Sequence, residues 1–397
     1  MSPTPRTNPS DAAQLTGRQV SDAVELLRAL LSTAGLDGSN LGLTGLTPAQ
    51  QRRAEAAALV PGKPIRIKDL VRKTRAGLKE STDRTYGTYL EMLSKGWPAS
   101  APKKEKLFKG FGKRWAHEVL ASELEDALRF VEARALLTAH WRGVAREAVG
   151  REVLKSDASG AKYNAVGAWR SMFKVAVKDR HLGKAFDPSQ DVDKPRRPES
   201  KRRALEPSQL DELWELVDNT GNDPELDRLL CETIIIAGAR REGLLNLELS
   251  GLDRQECTIR LDEKFDKVVD QPVPDWFVQR LYEFAVSRGA GRPGDKVFRQ
   301  RARGKQPARA ITSRRLDGLF QRLQAAYAWA DKRQVTAHTL RHHAITAVER
   351  SSSKAVALRF ARHVPTDTND RYSKASDLEV ATAVVRLYGG DHPWLHR

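Results

Sequence analysis

Near the middle of the chain, ten residues suit neither a helix nor a packed strand: Lys194-Pro-Arg-Arg-Pro-Glu-Ser-Lys-Arg-Arg203. Pro195 and Pro198 remove backbone donors and lock φ, and the surrounding cations repel compaction. The segment 194–203 therefore reads as a basic linker. It divides a chain of 397 residues, long enough for two or three domains, into parts that fold separately.

Ahead of it, residues 1–62 form an N-terminal segment whose first stretch, rich in Pro, Ser, Thr and Asn, reads as disordered. An amphipathic helix is expected after Ser21-Asp22 and an Ala-rich one from Thr47 to Ala58, before Pro61-Gly62-Lys-Pro64 breaks the chain. No chemistry attaches to this segment.

Residues 65–193 are patterned as helices, expected over Thr82–Leu93, Glu118–Leu137, Ala139–Val149 and Tyr163–Val177. The last places Val166, Trp169, Phe173 and Val177 on one face and Arg170, Lys174, Lys178 and Arg180 on the other. The stretch Lys103-Lys104-Glu-Lys-Leu-Phe108-Lys109-Gly-Phe111-Gly-Lys113-Arg114 mixes cations with aromatics, a composition suited to tracking a phosphate backbone. Residues 204–397 read as helices from Pro207, over Leu229–Ala237, Leu316–Trp329, Leu340–Arg350, Lys354–Arg362 and Leu378–Tyr388. A β-hairpin is expected from Cys257–Asp262 and Val268–Val273, and a basic loop over Arg299–Arg315. The fold class is thus mainly α with a small β-sheet.

The formal net charge of +17 points to a polyanionic partner, with nucleic acid ahead of a membrane surface because no lipidation signal stands out. No apolar run is long enough to span a bilayer and the N-terminus lacks a signal-peptide core, so a cytoplasmic, nucleoid-associated location is expected. Cys231 and Cys257 are isolated, which argues against a disulfide framework or a zinc ribbon.

Chemistry concentrates in the second half. Gly238-Ala-Arg240 sets an arginine at a helix start, where its rigid fork can grip two phosphate oxygens. In His338-Thr-Leu-Arg341-His342, residues three apart share a helix face, pairing an imidazole with a permanent cation. In Arg362-His363-Val-Pro-Thr-Asp-Thr368-Asn-Asp-Arg371-Tyr372, a tyrosine follows His363 by nine residues. Two arginines, histidines and a late tyrosine suit metal-free work on a phosphodiester: the arginines hold the phosphate, the histidines move protons and the phenol attacks.

This ordered set resembles the catalytic domain of the tyrosine recombinases, the phage-integrase family, and the resemblance extends over residues from about 65 to 390. It implies a helical core-binding domain over 65–193, whose last helix from Trp169 ends in an Asp-Pro loop, and a catalytic domain over 204–397. The two would form a C-shaped clamp on double-stranded DNA. Two departures stand out. Where the family carries Glu after its first arginine this chain has Gly243, with the carboxylate at Glu242, and where the family carries Gly before its second histidine this chain has Arg362.

The resemblance implies that Tyr372 attacks the scissile phosphate to give a 3′-phosphotyrosyl bond, with Arg240 and Arg341 on the non-bridging oxygens. His338 would be the general base, His363 a hydrogen-bond donor, and Lys264 the acid for the 5′ oxygen, with Lys267 second. No metal or cofactor is called for. Phosphate-tracking positions are expected at Lys103, Lys104, Lys109, Lys113, Arg114, Arg170, Lys174, Lys194, Arg196, Arg197, Lys201, Arg202 and Arg203. A homotetramer on two synapsed sites is implied, its C-terminal helices packing on neighbours, with room for accessory DNA-bending proteins. Type IB topoisomerases and telomere resolvases use much the same residues, and a DNA-binding regulator can keep the fold without the activity.

Overall fold

A computed structural model describes residues 63–154, 156–196, 203–263, 267–302, 304, 306–362 and 375–397. The expected helices within 1–62 lie outside these. The chain divides into two compact units, Met1–Glu199 and Ser200–Arg397, and the division falls inside the segment 194–203. None of the helices among the described residues is long and apolar enough to cross a membrane.

The first unit holds α1 (Ile67–Ala76), α2 (Glu80–Lys95), α3 (Ala121–Glu147) and α4 (Ser159–Lys178). α4 packs against α1, α2 and α3. It buries Val166, Trp169 and Phe173, as its spacing predicts, together with Ala165, Met172 and Ala176. The two helices expected over 118–149 are one. Thr138, at the expected break, lies inside this helix and donates its hydroxyl one turn back to the Arg134 carbonyl, 2.9 Å. Phe108 and Phe111 are corrected from surface to core: they are 1% and 6% exposed, and Phe108 stacks on Phe130.

The second unit is built around α6 (Pro224–Ile236), which buries Leu226, Leu229, Leu230, Cys231 and Ile234 together with the carboxylates of Asp227 and Glu232. Before it lies α5 (Pro207–Asn219); both helices carry proline at their first position, where no backbone donor is lost. After it come α7 (Arg241–Asn246) and a three-stranded antiparallel sheet of β1 (Leu252–Asp253), β2 (Thr258–Glu263) and β3 (Lys267–Pro272), with Ile259 opposite Gln271. The strand β1 and the helix α8 (Asp275–Ser287) were not expected from the sequence.

The helix expected over 316–329 is two, α9 (Ser313–Ala326) and α10 (Ala328–Arg333), separated by Tyr327 in an extended conformation. α11 (Ala337–Ser351) packs on α6 and on α12 (Lys354–Phe360). The last helix, α13 (Asp377–Tyr388), starts at a Ser376 cap that accepts the Glu379 N–H at 3.2 Å. It buries Val380, Ala381, Ala383 and Val384 and packs on α11, α12 and β3.

Candidate active site

Arg341 lies in the first turn and a half of α11. The helix start is fixed by Thr336, whose N–H donates to Thr339 Oγ1 at 3.2 Å, while Leu340, Ala344 and Val348 bury the inner face. Arg341 shares that inner position and is 1% exposed. Its guanidinium donates to the carbonyl oxygens of Gly238 and Ala361.

Arg240 reaches the same place from the end of α6. The chain turns at Gly238, with φ +54°, and a Cβ there would sit 2.7 Å from the Phe360 ring, so the turn requires glycine. Arg240 follows in extended conformation as the cap of α7, and its Nη2 donates to the Ala361 carbonyl at 3.5 Å. Arg241, its neighbour, is held instead in an exposed ion pair with Asp317 at 2.9 Å. Arg240 and Arg341 thus converge on one carbonyl, and Arg241 does not.

A third guanidinium completes the cluster. Arg362, 5% exposed, donates to the carbonyls of Ala237 and Phe360 at 3.0 and 3.1 Å and to that of Gly238 at 2.5 Å. It also donates to Gln271 Oε1 on β3. Burial pushes the Arg362 pKa down to about 9. Burial first, then the charges of Arg362 and Arg240, push Arg341 down to about 8. Arg240 is lowered by burial and by Arg362, with Glu242 opposing. The three cations disfavour one another, and an anion entering beside them would relieve that repulsion.

Such an anion has a place to enter. A cavity of ≈ 580 Å³ is lined by Arg240, Arg341 and the exposed His338, with the Arg241–Asp317 pair, Glu242, Gln321 and Gln324 among its other walls. His343 faces elsewhere: its Nδ1 accepts the Leu205 N–H at 3.2 Å, and burial lowers its pKa. Lys264, His363 and Tyr372 lie outside the described residues. Described chain reaches the cluster at Arg362, the residue before His363, and resumes at Ala375. Lys267 opens β3 opposite Glu263. Of the expected catalytic residues, Arg240, His338 and Arg341 are therefore brought together. Arg362 was legible only as a departure from the family's glycine.

The phosphate-tracking positions divide. Lys103, Lys109, Lys113 and Arg114 line a cavity of ≈ 970 Å³ in the first unit, with Lys68, Arg72, Lys95 and Lys106 around them. Arg114 is also paired to Glu123 at 2.7 Å. Lys104 is exposed outside that cavity, and Lys174 is exposed on α4. Arg170, on the same helix, ties down the following loop through the carbonyls of Ser189 and Val192, at 3.2 and 3.0 Å. Lys194 stacks its ammonium 4.0 Å from the Tyr163 ring centroid. Arg196 and Arg203 are exposed, and Arg197, Lys201 and Arg202 lie outside the described residues.

No protein-family model matches the chain. Two curated relatives do. The chain is 25% identical over 232 residues to tyrosine recombinase XerC of Roseiflexus sp. (strain RS-1), covering 56% of this chain and 70% of that protein. It is 26% identical over 235 residues to tyrosine recombinase XerD of Xanthomonas axonopodis pv. citri (strain 306), covering 56% and 73%. Among solved structures, it is similar to a lambda integrase dimer bound to a core site, with a TM-score of 0.50, 12% identity, and 90% of this chain and 87% of that one covered. It is also similar to the integrase of transposon Tn1549 in complex with transposon right end DNA, with a TM-score of 0.52, 13% identity, and 82% and 100% covered. The fold is that of the integrases. The chain's sequence is similar to those of tyrosine recombinases.

Proposed function

We propose that the protein is a site-specific DNA recombinase, cutting and rejoining strands through a 3′-phosphotyrosyl intermediate. The observation that carries this reading is the convergence of Arg240 and Arg341 on the Ala361 carbonyl, in a cavity that also holds His338. Two guanidiniums there would neutralise the non-bridging oxygens as charge develops on them. The Tyr372 oxygen bonds to phosphorus, and the phosphorus–O5′ bond breaks. The phenol proton passes to His338, and O5′ takes a proton from Lys264. The bond energy stays in the phosphotyrosine, and the reverse attack by a 5′-hydroxyl rejoins the strand. His363 donates a hydrogen bond to the phosphate.

The partner is double-stranded DNA. The basic cavity around Lys109 and Lys113 supports backbone contacts from the first unit, which position the protein without reading sequence. A lambda integrase tetramer bound to a Holliday junction is among the solved structures similar to this chain. By analogy, four protomers on two synapsed sites, aided by DNA-bending proteins in the nucleoid, would complete strand exchange.

The test uses a pool of nicked duplexes with a randomised central site, from which a cleaved segment diffuses away and traps the adduct. The protein is expected to select a subset as detergent-stable covalent complexes. Binding without any adduct would make it a DNA-binding regulator, and relaxation of single plasmids without exchange would make it a topoisomerase.

A further inference from the structure

Arg362 stands where the family carries glycine, and its backbone keeps the conformation that a glycine would serve, with φ +56°. A side chain there carries a conformational cost, so the surrounding contacts must hold it. They do. The guanidinium takes the carbonyls of Ala237 and Gly238, in the turn that launches Arg240, and the carbonyl of Phe360, next to Ala361. It also takes Gln271 on β3, the strand that follows Lys264 in sequence. The Gly238 carbonyl is one of the two that orient Arg341.

We propose that Arg362 is a positioning residue for phosphate chemistry, tying the Arg240 turn, the Arg341 acceptors and β3 into one frame that fixes where the two phosphate-holding arginines point. It acts through them, by its hydrogen bonds to the Ala237, Gly238 and Phe360 carbonyls and to Gln271. The proposal rests on the recombinase reading above. Its charge also adds to the positive field of the cavity, and burial, which pushes its pKa down to about 9, makes it a costly residue to keep for packing alone.

The test is Arg362→Gly, which removes the tie and suits the backbone. Single-turnover adduct formation is measured on a nicked duplex recovered from the randomised pool, with DNA affinity alongside. The rate is expected to fall on the order of 10²-fold, the effect of misplacing catalytic groups by about an ångström, with affinity unchanged. The same comparison on a scissile methylphosphonate, which lacks one non-bridging charge, should show a smaller gap, because aiming two guanidiniums matters less there. A merely structural defect would slow both substrates equally, and that result overturns the proposal. Cleavage at the parent rate also overturns it while leaving the recombinase reading intact. Failure of the parent protein to form any adduct overturns both. If Arg362→Gly does not fold, Gln271→Ala, which removes one anchor of the frame, is read by the same two-substrate comparison.

Discussion

The second unit holds two arginine clusters that look alike in the sequence and differ in what they face. Around α6 and α9, the cations are matched by buried carboxylates. Asp227, fully buried, takes Arg315 and Arg322 at 2.6 Å each, and Asp223 takes Arg288 at 2.7 Å and Arg301 at 3.3 Å. Around Gly238, the hydrogen bonds of Arg240, Arg341 and Arg362 go to carbonyls and one amide. The first arrangement pairs cations with buried carboxylates and holds helices together. The second gathers three guanidiniums beside a cavity, where an entering anion would relieve the repulsion among them. Counting arginines does not distinguish the two; locating their neighbours does.

The pKa shifts carry the same contrast. Burial alone would raise the Asp223 carboxyl, but hydrogen bonds and charge from Arg288 override it and lower the pKa. The stability it contributes is therefore complete above its ordinary value of 3.8 and is lost as pH falls below that. Arg341 is a base with a lowered pKa. The direction marks a cation whose burial costs stability, a cost that a bound anion would offset.

The largest effect expected from this comparison is on chemistry. Arg341→Lys keeps the charge and loses the fork, so adduct formation should drop about 10²- to 10³-fold, while DNA affinity barely moves. A rate near the parent's would remove Arg341 from the phosphate.

Asp227→Asn should do the reverse. Leaving Arg315 and Arg322 without their buried carboxylate should cost about 3–5 kcal/mol in denaturant unfolding, with the adduct rate per folded molecule unchanged. A mild stability loss with a large rate loss would erase the distinction between the clusters.

Inorganic sulfate should stabilise the parent by about 2.7 kcal/mol at a hundredfold excess over Kd, and Arg341→Lys by less. Equal stabilisation of the two proteins would place the anion elsewhere.

The smallest effect is expected from the linker. Neutralising Lys201, Arg202 and Arg203 should flatten the log–log salt dependence of DNA binding by at most about three units, without changing the preferred sequence.

What was legible in the sequence is what is local. His338 and Arg341 sit three apart on one helix, and Gly238 precedes Arg240 by two, so periodicity and turn chemistry place them. The basic run over 299–315 was less legible for the opposite reason. Arg301 and Arg315 pair with Asp223 and Asp227, which lie far upstream, so charge counted along the chain could not show that these two are matched. Arg362 was hidden in the same way: its acceptors at Ala237, Gly238 and Gln271 are 125, 124 and 91 residues away. Phe108 and Phe111 were read with the lysines beside them, whereas the packing against Phe130 decides their place.

The central claim is that this arginine cluster serves an attack by Tyr372 on DNA. The most direct measurement is covalent capture on the selected nicked duplex, followed by peptide mapping of the attached DNA. The account predicts a detergent-stable adduct through Tyr372, a released 5′-hydroxyl end, and no adduct from Tyr372→Phe despite normal binding. An adduct that persists in the Phe variant, or maps to another residue, would contradict it.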